Sequence, residues 1–426
     1  MLIFRQWRII VLLAGFLLTG LFGLVYAADP DPATAPANRK WASTEIRLAI
    51  SKSLFDQSDS IKLGSDVEGA VKLSSAAWAA VSPIEFSFSE SDGLSVSDSK
   101  TNGDGVSLIT IASTPENLAL FPKGTASPPA ITRRFFDRRG NITEADVVLN
   151  PYLQFSTDGT QGTFDLQSVL THEIGHVLGL DHSALTSSTM FERLAPNSVF
   201  GTGQAARSLS LDDVAVVRKL YGSLLSDESC CGAIVGQVLK PQGGKDQLNV
   251  WIEDASTGAV AASVKLDAVG RFVVDGLSEG SYRLLVQGGK DSAIALSDIG
   301  TVRVKANETV TAHPVRISSK SLASIDLIGT NAQLSELPIV VGPGAVYQIF
   351  LGGKGLDPKN VKFGFASKDI SLIEGTAFPV DFGPQISAVA LTIKVSQDIA
   401  PGEYSVFVQD AQGSKKYLTG AVSIER

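Results

Sequence analysis

The chain has 426 residues, of which 44% are hydrophobic and 19% are charged, and its formal net charge is −8. This composition is typical of a folded protein rather than a largely disordered one, and the length predicts two to four domains. Nucleic acid is not expected as a partner, because phosphate binding needs a concentrated basic face that no stretch of this chain supplies.

The first 27 residues have the features of a signal peptide. Arg5 and Arg8 precede an apolar run from Ile9 to Tyr26, and Ala27 is a small residue of the kind found at cleavage sites. We therefore expect a secreted protein. The run is long for a cleaved signal, so an uncleaved membrane anchor at the cell surface is the alternative. Residues 28–40 are rich in Pro and Ala and are predicted to form a linker.

Residues 41–222 mix strand and helix patterns and are predicted to form one α/β domain. Alternating apolar residues predict a strand over Trp41–Ile50, and helical spacing of apolar residues predicts a helix from Val67 to Trp78. Further on, the segments 130–135 and 145–149 flank a Gly140-Asn141 turn as a hairpin.

Beyond Gly232 the pattern changes to short strands separated by Gly and Asp turns, and no helix is predicted. Residues 233–317 and 321–426 are therefore predicted to form two all-β sandwich domains. Cys230 and Cys231 are the two cysteines of the chain. A disulfide between these neighbours would join nothing distant, and free thiols or an intermolecular bridge are equally open.

The segment from Thr171 to Ser183 reads THEIGHVLGLDHS and holds three of the four histidines of the chain. A bare H-E-x-x-H pattern recurs in unrelated helices and is a weak signal. The longer pattern adds a glycine and a third histidine, and its chance occurrence in this composition is on the order of one in a hundred thousand. Coincidence is therefore set aside.

The spacing of these residues explains how they could bind zinc. Apolar residues at helical positions predict a helix over Leu166–Leu178, which stacks His172 and His176 one turn apart. A continued helix would turn His182 away, but Gly179 tolerates the left-handed conformation that ends a helix, so the chain can return His182 to the metal. Three neutral imidazoles leave the fourth tetrahedral position to water, as in catalytic zinc sites.

Glu173 is not needed as a ligand and is predicted to be the general base. Zinc would lower the pKa of a bound water towards about 7, and the carboxylate would take its proton and deliver it to the leaving amine of a peptide bond. Asp181 is the alternative third ligand, although the spacing favours His182 and a local hydrogen-bonding role for Asp181. A surface helix with solvated His and Glu is disfavoured by the added glycine and histidine.

The motif HEIGHVLGLDHS resembles the metzincin zinc-binding consensus, and Ser183 directly after the third histidine is similar to the matrixin branch of that clan. Met190 in the sequence Ser188-Thr189-Met190 resembles the methionine turn that metzincins place beneath the zinc. The resemblance extends over residues 41–222. It implies a metzincin-like catalytic domain with a mixed five-stranded sheet and an active-site helix.

The same resemblance implies a zinc metalloendopeptidase that acts on protein or peptide substrates. Leu209–Gly222 resembles the C-terminal matrixin helix, with Ser210 and Asp213 as a capping box. An edge strand that receives an extended substrate is implied as well, and Ala130–Phe135 is the candidate.

Two departures from the matrixin pattern are visible. His313 is the one histidine outside the motif, so we expect one catalytic zinc and no second, structural zinc. Residues 28–40 are too short for a cysteine-switch propeptide and contain no thiol. The loops Asn102–Gly105 and Asp158–Gly159 are candidates for calcium, although turn chemistry explains their residues equally well.

The downstream domains resemble known β modules. Residues 267–286 look like carboxypeptidase regulatory-like repeats, and residues 399–406 are similar to the last strands of Ig-like domains. These resemblances imply a spacer or an arm that binds a cell surface or matrix. The alternative function is therefore an exported adhesion or carbohydrate-binding protein with an inactive metzincin-like domain. The intact motif with Glu173 favours the peptidase.

Overall fold

The computed structural model describes most of the chain beyond Arg39: residues 25–26, 39–56, 60–183, 185–197, 206–224, 230–239, 248–267, 269–289, 292–317, 321 and 323–424. The predicted signal peptide and linker lie largely outside the described residues, and so does much of the Ser-rich segment 318–324 where the two predicted β domains meet. Among the described residues, no helix is both long enough and apolar enough to cross a membrane.

The described residues up to Tyr221 alternate between strands and helices. The strands are β1 (Val25–Tyr26), β2 (Lys40–Trp41), β3 (Glu45–Ser51), β4 (Glu85–Ser91), β5 (Leu108–Thr110), β6 (Ala130–Phe136), β7 (Asn141–Leu149), β8 (Phe155–Ser156), β9 (Phe164–Asp165) and β10 (Arg193–Leu194). The α-helices are α1 (Val67–Ala79), α2 (Pro115–Leu118), α3 (Leu166–Val177) and α4 (Leu211–Tyr221), and short 3₁₀ helices span Lys52–Leu54 and Gly124–Ala126. The predicted helix over 67–78 and the predicted hairpin are confirmed.

One mixed sheet organises this region. Its strands follow the order β2-β7-β5-β3-β4, all parallel neighbours, and β6 adds to β7 in antiparallel orientation. The sheet therefore has six strands rather than the five expected. The additional strand is β2. Trp41 of β2 donates its indole N–H to the Val177 carbonyl and its backbone N–H to the Tyr221 hydroxyl, and these bonds hold β2 beside β7. The two-residue strand β1 pairs separately with β10.

Helices α1 and α3 cover one face of this sheet and share its apolar core. Trp78 of α1 is fully buried and donates its indole N–H to the Thr171 carbonyl of α3 at 2.9 Å. Strand and helix residues meet in a single cluster that includes Ile46, Leu48, Ile109, Val147, Leu170, Ile174 and Met190. Helix α3, the predicted active-site helix, is therefore buried and is held in place by packing against the sheet.

The described residues after Cys230 are largely β and contain no α-helix. Cys230 and Cys231 are joined to each other by a disulfide. The strands are β11 (Gly232–Leu239), β12 (Leu248–Asp254), β13 (Val260–Lys265), β14 (Arg271–Leu277), β15 (Gly280–Gly288), β16 (Ser297–Val304), β17 (Thr309–Thr311), β18 (Val315–Arg316), β19 (Ser324–Thr330), β20 (Ile339–Val341), β21 (Val346–Lys354), β22 (Lys362–Phe365), β23 (Ile370–Leu372), β24 (Phe378–Asp381), β25 (Ser387–Val395), β26 (Gly402–Gln409) and β27 (Lys415–Ile424).

These strands form two pairs of sheets. In the first pair, β14-β11-β17 with β18 and the sheet β13-β12-β15-β16 share a core that includes Ile234, Val250, Ile252, Leu284 and Val286. In the second, β19-β21-β25-β23 with β24 and the sheet β20-β27-β26-β22 share a core that includes Ile349, Leu391, Val406 and Val422. We call the two pairs the first and second β module.

Candidate metal centre

The three histidines of the motif converge. Helix α3 begins at its N-cap Asp165, whose carboxylate accepts from Ser168 N–H at 2.9 Å, and its turns place His172 and His176 on the same face. One ring nitrogen from each of the three histidines lies within 4.8 Å of those of the others. The Nε2 atoms of His176 and His182 are 3.2 Å apart.

The outer ring nitrogens are occupied by backbone carbonyls. His172 Nδ1 lies 2.7 Å from the Thr189 oxygen, and His176 Nδ1 lies 2.9 Å from the Leu180 oxygen. Donation from Nδ1 leaves each Nε2 as a lone-pair donor, which is the tautomer that a metal ligand requires. His172 Nε2 is buried and has no hydrogen-bond partner. A metal ion would satisfy this orphaned atom, so the residues fit zinc.

Burial keeps the two helical imidazoles neutral. Burial, assisted by the nearby His182, lowers the pKa of His172 to about 3. Burial also lowers the pKa of His176 well below its usual value, with the neighbouring histidines adding to the effect. Neutral imidazoles are the metal-binding form, so both side chains are ready to bind a cation at neutral pH.

The helix ends where the motif places its glycine. Gly179 has a φ of 95° and donates its N–H to the His176 carbonyl at 2.9 Å. A side chain at Gly179 would strike the Arg39 carbonyl, so both conformation and space require glycine here. The next residues then turn back and bring His182 to the other histidines.

Asp181 points to arginines. Its carboxylate accepts from Arg39 and from Arg134, each at 3.1 Å. Arg134 lies on β6, is buried, and also approaches the carbonyls of His176 and Leu180 at the end of α3. A cation beside the carbonyls at the C-terminal end of a helix is favourable, so Arg134 and Asp181 together tie the turn to the sheet.

Glu173 faces strand β6 from within the protein. Its side chain is 1% exposed, and its Oε2 accepts a hydrogen bond of 2.5 Å from the Thr132 hydroxyl. Burial raises the pKa of Glu173 to about 7, while the Thr132 hydrogen bond and the Arg134 charge lower it. A carboxylate with a pKa near neutrality suits general acid–base chemistry. Sequence reasoning placed Thr132 in the candidate edge strand but did not predict this hydrogen bond, because a threonine in a strand carries no motif.

Met190 lies directly beneath the helix. It is buried, and a side chain added at Gly175 would collide with its sulfur and with Trp78. Glycine at this position of the motif is therefore required for the methionine to pack against α3. The flanking backbone is held by Asp213, which accepts from Thr189 N–H at 2.8 Å and from Met190 N–H at 3.2 Å.

Asp213 also completes the capping box of α4. Ser210 accepts from the Asp213 N–H, and the Asp213 carboxylate accepts from the Ser210 N–H, so the predicted capping box is confirmed. The same carboxylate thus joins the start of α4 to the methionine turn. Sequence reasoning assigned it the first role only.

The loops proposed for calcium make ordinary turn contacts. Asp104 accepts from the Val106 N–H, and Asp158 accepts from the Lys62 ammonium and the Thr160 hydroxyl. Hydrogen bonding from Lys62 lowers the pKa of Asp158 below its usual range. His313 is an exposed residue after β17, remote in sequence from the motif.

Known proteins resemble this region. Residues 125–222 match the family model described as matrixin. Metalloendoproteinase 1-MMP of Arabidopsis thaliana is 31% identical over 191 residues, which cover 43% of this chain and 44% of the relative. Metalloendoproteinase 4-MMP of the same plant is 35% identical over 99 residues, covering 21% and 27%. Matrilysin of Rattus norvegicus is 39% identical over 69 residues, covering 16% and 24%.

The chain thus spans less than half the length of the curated relatives it matches. Among solved structures, SGBP-B of the Bacteroides ovatus mixed-linkage glucan utilization locus, in complex with a mixed-linkage heptasaccharide, shares 13% identity at a TM-score of 0.17. That match covers 48% of this chain and 46% of the other. The sequence matches and the grouped histidines agree on one conclusion: residues 125–222 of this chain are a matrixin domain.

Proposed function

We propose that this chain is a secreted zinc-dependent endopeptidase in which His172, His176 and His182 hold the metal and Glu173 is the general base. The observation that carries the proposal is the buried His172 Nε2, which lacks a partner and lies among three grouped imidazoles. When bound, zinc polarises the scissile carbonyl and lowers the pKa of a water towards about 7.

Glu173 supplies the proton transfers. Its buried carboxylate takes a proton from the attacking water and later delivers it to the leaving amine. Thr132 holds Oε2 in place, so the group is oriented before substrate arrives. A pKa raised by burial lets the same carboxyl both accept and return a proton near neutral pH.

The remaining parts of the proposal concern location and domains. We propose that residues 1–27 are a cleaved signal peptide, that the catalytic domain spans 41–222, and that 233–317 and 321–426 are β sandwiches of carboxypeptidase regulatory-like and Ig-like type. An adhesion or carbohydrate-binding protein with an inactive domain is not favoured, because the three histidines are grouped and Glu173 follows the first of them on helix α3.

Zinc-dependent cleavage is the direct test of the proposed function. We expect the purified chain to cleave a denatured protein, to lose that activity after chelation, and to regain it at about one zinc per chain, since one histidine cluster supplies the ligands. Activity should be followed during zinc titration, with elemental analysis of the final sample. Cleavage that survives chelation, or two tightly held zincs, would contradict the proposal.

Strand β6 is the proposed docking edge for substrate. Among the described strands it pairs with β7 alone, so its other edge can add an extended peptide as a further strand. Proline at Thr132 would remove a strand donor but also the hydroxyl that binds Glu173. Modifying the substrate instead tests the backbone pairing and leaves the Thr132 hydroxyl in place.

N-methylation of single substrate amides should therefore reveal the pairing. In an antiparallel pair, only alternate residues of the substrate donate their N–H groups to the strand. A single methyl group at any one of these alternate positions should therefore raise KM by about threefold to tenfold, the equivalent of one lost hydrogen bond. The intervening positions are the matched controls and should leave KM unchanged. An equal effect at all positions, or none at any, would place the substrate elsewhere.

A further inference from the structure

Both β modules contact the segment that follows His182. Leu185 is 3% exposed and packs in one apolar cluster with Trp251 and Leu285 of the first module and Tyr417 of the second. Thr186 donates its hydroxyl hydrogen to the Thr419 carbonyl at 3.2 Å. Leu185 and Thr186, which lie between the third histidine and Met190, therefore contact residues more than sixty positions away in the chain.

Helix α4 is part of the same contact. Ala215 belongs to the apolar core of the first β module, and its carbonyl lies against Gly276 of β14. Gly276 has a φ of 76°, and any side chain there would strike the Ala215 backbone. Such close approach means that the first module is seated on α4.

A chain of hydrogen bonds runs from this contact to the metal centre. The Ser263 N–H of β13 donates to Asp212 Oδ1 at 2.5 Å, and the Ser183 hydroxyl donates to Asp212 Oδ2 at 2.5 Å. Ser183 directly follows His182, and its own N–H donates to the Met190 carbonyl at 2.8 Å. Asp212 is 3% exposed, so its carboxylate depends on these donors in place of water.

His182 is the ligand whose position depends most on such contacts. His172 and His176 are buried on a helix, whereas His182 is half-buried and lies beyond the helix end. Its neighbour Ser183 is held at the backbone by Met190 and at the side chain by Asp212. Partners that orient a ligand commonly change metal affinity by about 10-fold to 100-fold when removed.

We propose that edge strand β13 of the first β module is a positioning element of the metal centre, with the Ser263 N–H orienting Asp212, Asp212 orienting Ser183, and Ser183 setting the place of His182. The inference rests on the proposed metal site but not on peptide cleavage. Strand β13 is at one end of its sheet and pairs with β12 on its inner side, so its outer N–H groups are free to serve another element.

The test uses the full chain and two readouts. Ser263→Pro removes the N–H, together with the Ser263 hydroxyl that also hydrogen-bonds Asp212. It spares the pairing with β12, because proline is tolerated on the outer side of an edge strand. Ser183→Ala removes the hydroxyl, and Ser183→Thr restores it. We expect Ser263→Pro and Ser183→Ala to raise the zinc dissociation constant by about 10-fold or more. Ser183→Thr should retain most of the affinity, and the double variant Ser263→Pro/Ser183→Ala should be little worse than either single variant.

Amide hydrogen exchange of residues 182–190 in the metal-free chain is the second readout, and we expect faster exchange in Ser263→Pro and Ser183→Ala. Arg303→Ala, an exposed change on the opposite edge strand β16, is the matched control and should change neither readout. If exchange and zinc affinity in Ser183→Ala equal those of the unaltered chain, the proposal is overturned, whether or not Ser263→Pro folds. A chain that binds zinc but cleaves no peptide would refute the proposed function and leave this test intact.

Discussion

Replacing Glu173 with Ala should leave zinc bound and lower kcat by about 100-fold to 10,000-fold, the usual contribution of a positioned general base. Two features support this expectation. The carboxylate is buried against Thr132, at 2.5 Å from its hydroxyl, and it is not one of the three grouped metal-binding side chains. The measurement is kcat on a peptide substrate together with the zinc content of the purified variant.

Two further substitutions sharpen the result. Glu173→Gln keeps the volume and can still accept from Thr132, so an equal loss of kcat there assigns the effect to the missing base rather than to a cavity. Thr132→Val keeps the carboxylate and removes its donor, and a smaller loss is expected. Near-normal turnover in Glu173→Ala with zinc still bound would reject Glu173 as the base.

Asp213→Ala is expected to lower the free energy of unfolding by at least about 3 kcal/mol, because each buried donor left without an acceptor costs about 1–3 kcal/mol. The Asp213 carboxylate accepts from the N–H groups of Thr189, Met190 and Ser210 and from the hydroxyls of Ser188 and Ser210. The Met190 N–H also donates to the Ser188 hydroxyl at 3.0 Å, so the loss falls mainly on the N–H groups of Thr189 and Ser210, which are fixed in the backbone. Urea-induced unfolding measures the loss.

The same substitution should also weaken zinc binding. Thr189 presents its carbonyl to His172 Nδ1, so a methionine turn released from Asp213 no longer orients that imidazole. Lys219→Ala, an exposed change on the same helix, is the control and should alter stability by less than about 0.5 kcal/mol. An Asp213→Ala variant as stable as Lys219→Ala would show that other groups satisfy these donors.

Local pattern was enough to predict the elements that carry the site. The spacing of His172 and His176 and the apolar residues between them predicted helix α3, and Gly179 predicted its end, because helix periodicity and glycine conformation are properties of short stretches of chain. The same reasoning predicted the β6–β7 hairpin and the Ser210–Asp213 capping box. The third histidine, six residues beyond the second, predicted the metal chemistry.

Contacts between distant residues were decided by the tertiary structure alone. The Thr132 hydrogen bond to Glu173, the packing of Met190 against Gly175, and β2 as a sixth strand each join segments separated by 15 to more than 90 positions. The two β modules, predicted as spacer or arm, are seated against α4 and the loop after His182. Side chains that meet only after folding impose no periodicity on the sequence around them, so a single sequence predicts the helix that bears the histidines but not the neighbours that orient them.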